Sequence, residues 1–332
     1  MTTPTDALLA SRPVVHILHE NADWIPPLAA ALEAEGVPYR EWPLTGGSLD
    51  LTGAPPDGVF WSRFSASSHT RGNASAKEFT RATLRWLEAH GRRVVGGSGV
   101  LEFEVSKVAQ HLALAGAGFD VPKTIAVFGR DGLRERAREL TAPFITKHNQ
   151  GGKGLGVRRF DSHDDFDAYV VGDDFEEPID GITLLQEYLQ AREPFITRAE
   201  FVGGRFLYAV RVDTSSGSFE LCPAEACAVP SATTSGAAVE PVEPAPLFTR
   251  RLDIDGTHPL IVRLETFLAD HGIEIAGIEF IETVDDRIVP YDVNTNTNYN
   301  PDVEADRDAS GAVAVARFLG AELERRYAVT PA

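Results

Sequence analysis

The sequence predicts a chain that is parallel α/β in its first third and α+β thereafter, and three observations predict it. Strand-like and helix-like stretches alternate over residues 1–100. A glycine-rich segment, KHNQGGKGLGV (147–157), lies between two β-prone runs. From Leu184 onward the pattern turns to successive hairpins. Alternation builds parallel strands joined by right-handed crossovers, whereas successive hairpins build antiparallel sheets.

Each element has a local reason. VVHIL (14–18) is a short apolar strand, and DWIPPLAAALEAEG (23–36) reads as a helix with an Asp cap and a Gly stop. VPYREWPL and GVFWSRF are further strands. The stretch 75–91 sets Phe79, Leu84 and Leu87 near one helical face and ends in Gly, and RRVVGGS follows as a strand. SKVAQHLALAGAGF (106–119) is a Ser-capped helix, KTIAVF a strand and DGLRERARELT a charged helix. PFITKH runs into the glycines and GVRRF leaves them, so the glycines form a hairpin tip; the helix SHDDFDAYVVG comes next. LLQEYL, FITRAEFVGG, RFLYAVRVDT and SFELCPAEACAV are strands, with turns at Gly203-Gly204 and Gly217. The Pro/Ala/Glu-rich stretch 230–246 reads as a loop. A helix over 258–271, the hairpin IAGIEFIETVDDRIVPYDVN and a last helix, SGAVAVARFLGAELERRY, complete the chain.

Composition narrows the function. With 31 Lys+Arg against 49 Asp+Glu, the net charge of −18 disfavours nucleic acid and anionic membranes as partners. It leaves room for a local basic pocket. No run of about 18 apolar residues is present to span a membrane. The N-terminal stretch MTTPTDALLASRP lacks the basic-then-apolar order of a signal peptide, so a cytoplasmic location is expected. Cys222 and Cys227 read as ordinary thiols, neither a disulfide nor a zinc site.

The glycine segment is not a phosphate loop of the G-x-x-x-x-G-K-[ST] type, since Lys153 is followed by Gly154 and no helix begins there. Nor is it a dinucleotide fingerprint, because its context is strand-to-strand. A glycine-rich hairpin tip can instead turn backbone N–H groups onto phosphate oxygens; a plain flexible hairpin is the alternative. In the last hairpin, strand periodicity puts Asp292 and Asn294 on one face, and the turn can bring Glu279 opposite them. Two carboxylates and an amide oxygen are hard donors that suit Mg²⁺ on nucleotide phosphates. A polar strand end is the competing explanation.

With these motifs in order, the chain resembles the ATP-grasp superfamily, in particular its carboxylate–amine ligases of the glutamate-ligase and D-Ala-D-Ala-ligase kind. The resemblance runs over 107–300. SKVAQHLALAGAGFDVPKT, PFITKHNQGGKGLGV, LLQEYL, FITRAEFVGGRFLYAVR, GIEFIE and YDVNTN carry it. It implies an N-terminal parallel α/β pre-ATP-grasp domain (1–100), a small α+β lid subdomain with the glycine loop (101–185), and a C-terminal catalytic subdomain of antiparallel sheet and helices (186–332). It further implies that Lys107 and Lys147 bind ATP phosphates, and that Gly151, Gly152, Gly154 and Gly156 cover them with Lys153 at the tip. Gln186, Glu187, Tyr188 and Leu189 would pair with the adenine edge, and Glu193 would hold the ribose. Arg198 and Arg211 would be catalytic, facing the acyl phosphate and the carboxylate substrate. Glu279, Asp292 and Asn294 would hold Mg²⁺, or Mn²⁺ in its place. The family usually has Glu at the position of Asp292, and the Pro-Gly that often follows is replaced here by TNTNYNPDVE.

The loop WSRFSASSHTRG (61–72) follows a strand at its carboxyl end, where open α/β sheets bind ligands. Arg63, Ser65 and Arg71 are the candidate substrate-binding residues, since an arginine fork suits a carboxylate; a solvated surface loop is the alternative. His16 and His19 lie on opposite faces of their strand and make poor joint metal ligands, although His19 or Glu20 could sit near a substrate. The function expected is an ATP-dependent ligase. It would join a small carboxylate substrate, an amino acid or short peptide, to an amine through an acyl phosphate, releasing ADP and phosphate. A small-molecule kinase or a non-catalytic nucleotide-binding protein on the same fold are the alternatives. ATP, the acid and the amine are the expected partners, with a homodimer left open.

Overall fold

The computed structural model describes residues 12–152, 154, 156–215, 247–305 and 309–327. The first unit is a parallel sheet in the order β2-β1-β3-β4, built from β1 (Val14–His19), β2 (Tyr39–Pro43), β3 (Gly58–Arg63) and β4 (Arg93–Val95). Helices α1 (Pro26–Ala34) and α2 (Ala76–Ala89) make two of its crossovers. The predicted helix from Asp23 is split. Asn21, not Asp23, accepts the capping N–H of a one-turn 3-10 helix, and α1 restarts at Pro26. Two prolines at the first helical positions lack only N–H groups that a helix start leaves unpaired anyway.

Helices α3 (Ser98–Glu104) and α4 (Lys107–Gly116) follow. The middle sheet is antiparallel, in the order β5-β8-β6-β7. Its strands are β5 (Thr124–Phe128), β6 (Phe144–His148), β7 (Arg158–Phe160) and β8 (Ile182–Glu187), backed by α5 (Leu133–Ala137) and α6 (His163–Val171). β6 and β7 pair from Phe144↔Phe160 to Thr146↔Arg158, which makes the glycine segment the connection of a hairpin. The third sheet, β11-β10-β9-β12-β13, is antiparallel. It contains β9 (Phe195–Val202), β10 (Arg205–Asp213), β11 (Phe248–Arg250), β12 (Ile275–Glu282) and β13 (Ile288–Asn294), with α7 (Pro259–Asp270) packed on it. A short α8 (Pro301–Glu304) and the long α9 (Gly311–Tyr327) end the described chain.

The sheets and cores divide the chain at other points than 100/101 and 185/186. Leu114 of α4 and Phe119 are buried with Phe201, Ile278 and Phe267, so this helix belongs to the third sheet's core rather than to the glycine-loop unit. The boundary expected after residue 185 would cut β8, whose residues 182–187 pair with β5 and β6. α9 returns to the first sheet, where Leu319 and Leu323 pack with Ile17, Leu32 and Trp61. An amphipathic helix packs against whichever apolar face is unclosed, and sequence adjacency does not say which. Cys222, Cys227 and the 230–246 stretch lie outside the described residues.

Candidate active site

A cleft opens between the middle and third sheets, and its walls come from widely separated parts of the chain. Lys107 stands at the first turn of α4, whose start is fixed by Ser106: the Ser hydroxyl accepts the Ala109 N–H at 3.2 Å, and the Lys107 N–H donates to the Asn149 carbonyl at 3.1 Å. Lys147 comes from β6, Arg198 from β9, and Glu279, Asp292 and Asn294 from β12 and β13. Gly151, Gly152 and Gly154 and the stretch of Gln186, Glu187, Tyr188 and Leu189 complete the polar rim. Ile145, Ile196 and Ile281 supply apolar wall.

One end of the cleft is strongly charged. Glu279 and Asp292 are direct partners in the β12–β13 register, and the Lys107 ammonium pairs with the Asp292 carboxylate. Burial and then the charge of Asp292 push the Glu279 carboxyl up. Burial pushes Asp292 the same way, but Lys107 and Lys147 override it and hold this carboxyl low. Burial, with the neighbouring Lys107 charge, brings the Lys147 amine down to about 8. Adjacent carboxylates, one buried (Glu279) and one half-buried (Asp292), need cations beside them. Arg198 supplies a second one, with Nη1 3.3 Å from Glu279 Oε1.

The register slips between Glu279↔Asp292 and Phe280↔Pro290, leaving Tyr291 as the extra residue of a β-bulge. The bulge brings Tyr291 into the cleft beside Asp292 instead of onto the opposite face. There Tyr291 donates from its hydroxyl to Glu279 Oε2 at 2.9 Å, and the Lys147 ammonium sits 4.7 Å from its ring centroid. Sequence periodicity misses this residue. The available signal was Pro290, which cannot donate to a ladder and so marks an edge or an irregular strand.

The structure therefore gathers Lys107, Lys147, Gly151, Gly152, Gly154, 186–189, Arg198, Glu279, Asp292 and Asn294 in one lining. Several other sequence-predicted residues are not part of it. Arg211 and Glu193 pair with each other, 3.6 Å apart, and Arg211 stacks on Phe195 at 4.1 Å. Gly156 serves the hairpin: its φ is +67°, and a Cβ there would lie 2.1 Å from the His148 ring. Lys153 lies outside the described residues.

In the 61–72 loop, the arginines proposed for a substrate carboxylate have protein partners. Arg63 is buried, donating from Nη1 to the Thr297 carbonyl at 2.6 Å and from Nη2 to Asn298 Oδ1 at 2.7 Å. Burial lowers this guanidinium to about 10. Arg71 grips the buried Glu20 carboxylate at 2.7 and 3.2 Å and donates to Ser67 Oγ at 3.1 Å. Ser65 Oγ lies 2.9 Å from Ser67 Oγ. Both arginine forks are thus occupied by protein. What the loop does reach is the glycine hairpin, since a Cβ on Gly152 would stand 3.6 Å from the Ser67 Cβ. The partners of Arg63 lie 234 and 235 residues away, beyond any motif reading.

No family model matches the chain, and no curated protein matches its sequence. Solved structures do match its fold. A RimK domain protein from Sphaerobacter thermophilus superposes with a TM-score of 0.63 at 17% identity, over 92% of this chain and 98% of that one. The D-cycloserine synthetase DcsG gives 0.63 at 15%, over 93% and 99%. The macrocyclase MdnC from Microcystis aeruginosa, solved with its precursor peptide MdnA, gives 0.60 at 15%, over 92% and 98%. The chain has the ATP-grasp fold. The sheets described above, one parallel and two antiparallel, are what build it. Among the described residues no three His, Cys, Asp or Glu side chains gather as a metal group. The Mg²⁺ donors implied by the ATP-grasp resemblance are two carboxylates and one amide. Their chemistry fits a hard divalent cation, because the Glu279 and Asp292 carboxylates, partners across β12 and β13, already call for positive charge.

Proposed function

We propose that this protein is an ATP-dependent carboxylate–amine ligase that works through an acyl phosphate. The observation that carries the reading is the single cleft into which Lys107, Lys147 and Arg198 project beside Glu279, Asp292 and Asn294, with the 186–189 strand end in the same wall. Lys107 and Lys147 bind the nucleotide phosphates as point charges. The backbone of 186–189 receives the base edge against Ile145 and Ile281. Glu279, Asp292 and Asn294 would hold Mg²⁺, which when bound offsets the negative charge of the β- and γ-phosphates.

In this reading a substrate carboxylate oxygen attacks the γ-phosphorus and ADP leaves. An amine then attacks the acyl carbon, and phosphate leaves with the C–O bond electrons. Arg198 stabilises charge on the transferring group, where a donor already in place needs no reorganisation. The glycine hairpin keeps water from the acyl phosphate, which would otherwise hydrolyse. The lysine and arginine charges do this work without a side-chain nucleophile.

The acid is an amino acid or a peptide. Peptide is supported by the neighbours solved with precursor peptides, and a small amino acid by the cycloserine synthetase. The test is a pairwise screen of amino acids and short acidic peptides with ATP and Mg²⁺, reading ADP, phosphate and product mass. Amine-dependent phosphate release supports a ligase. A phosphorylated product with no new amide supports a kinase instead.

A further inference from the structure

Arg198 is buried, and each arm of its guanidinium is directed. Nε donates to Glu200 Oε1 at 2.7 Å and Nη2 donates to Thr297 Oγ1 at 2.6 Å. The Thr297 hydroxyl donates its own proton to Glu200 Oε2 at 2.8 Å. The three side chains close a ring: guanidinium to carboxylate, hydroxyl to carboxylate, guanidinium to hydroxyl. The hydroxyl uses one proton and one lone pair, so nothing in the ring is left unpaired. Thr297 and Glu200 are almost fully buried.

The ring leaves Nη1 as the donor turned toward Glu279 and the cleft, at a long 3.3 Å. The plane of the guanidinium is also fixed from below. It lies over Gly277 of β12, where a Cβ would meet Nε at 2.6 Å and Nη2 at 2.7 Å. Thr297 itself is held in place: its carbonyl accepts from Arg63, while Thr295 donates its N–H (2.9 Å) and hydroxyl (2.8 Å) to the half-buried Glu104. Glu104 Oε1 accepts the Ala66 N–H at 3.1 Å. The residues that fix the 295–298 segment therefore come from the end of β3, the loop after it and α3.

We infer that Thr297 is a positioning residue that holds Arg198 with its Nη1 donor turned into the cleft, toward the γ-phosphate end of the nucleotide. The inference rests on the ATP-site reading above. Arg198 without the ring keeps its charge but loses its direction, so contacts made only to the terminal phosphate weaken while those to the rest of the nucleotide do not. Thr297→Val keeps the volume and removes the hydroxyl; Thr297→Ser keeps the hydroxyl.

The experiment measures Kd for AMPPNP and for ADP, each with Mg²⁺, by calorimetry on the full chain of wild type, Thr297→Val and Thr297→Ser, with thermal midpoints alongside. The expected result is an AMPPNP affinity about tenfold weaker in Thr297→Val, an ADP affinity like wild type, and restoration in Thr297→Ser. A merely structural role would lower the midpoint and leave the ratio of the two affinities unchanged, and that result overturns the inference. If Thr297→Val does not fold, Glu200→Gln, which keeps the shape and weakens the ring, is read the same way. A wild-type chain that binds neither nucleotide overturns the ATP-site reading itself and the inference with it.

Discussion

Glu279 on β12 stands directly opposite Asp292 on β13, and both carboxylates are turned into the cleft that Lys107 and Arg198 also enter. Like charges opposed on paired strands destabilise a sheet. This pair persists because two cations flank it, an arrangement suited to a ligand site rather than to a strand end. Asp292→Asn should keep the fold, since it removes one of two repelling charges. It should lower ADP formation by about a hundredfold or more. ADP release measured against Mg²⁺ concentration, with the thermal midpoint as control, checks this; an Asp292→Asn rate equal to wild type at moderate Mg²⁺ would sink the metal assignment.

The bond that breaks is a second expectation. The glycine hairpin and the Lys107–Lys147 pair border the carboxylate end of the cleft, so cleavage between the β- and γ-phosphates is expected, giving ADP and phosphate. Chromatography of the spent nucleotide decides it. AMP with pyrophosphate would mean an adenylating mechanism and a different use of the same cleft.

Gly277 separates chemistry from stability. Its missing side chain is what lets the Arg198 guanidinium lie across β12. In Gly277→Ala the guanidinium must move, and it can, since it is the far end of a long side chain. Loss of its bonds to Glu200 and Thr297 costs about 1–3 kcal/mol. The thermal midpoint should fall by several degrees, while ADP formation should fall at least about tenfold. A variant with an unchanged rate would show that Arg198 does not act in the orientation seen here.

The sequence carried the elements that are local and missed the relationships that are not. The hairpin β6–β7, the Ser106 cap of α4 and the facing of Asp292 with Asn294 depend on turn chemistry and on a period of two, so they could be read directly. Tyr291 could not, because a bulge breaks that period one residue earlier. Arg63 was legible as an arginine at the end of a strand, but its partners at Thr297 and Asn298 are set by how two sheets meet. The same holds for Thr297, one threonine in an Asn/Thr-rich stretch, and for α9, whose partner sheet is the first one built.

His16 gives the last prediction, and it concerns stability alone. The ring is buried on β1, stacked on Phe60 at 4.6 Å with planes 10° apart, with Trp42 edge-on at 6.0 Å. Its Nε2 has no hydrogen-bond partner. Burial brings this imidazole down to about 4; the nearby Arg40 charge acts in the same direction, and a backbone hydrogen bond with Asp57 opposes both. The folded protein therefore keeps His16 neutral where the unfolded chain, near the ordinary value of 6.5, takes up a proton. The unfolded state binds more protons, so stability is at its full value above about pH 6.5 and falls as the pH drops from there toward about 4. Between about pH 7 and about pH 5 the loss from this one group is about 2 kcal/mol. His16→Phe, which cannot titrate, should lack that part of the slope. Urea unfolding of wild type and His16→Phe at a series of pH values measures the difference. Two curves that run parallel from about pH 7 to about pH 5 would mean that His16 does not carry the acid sensitivity assigned to it.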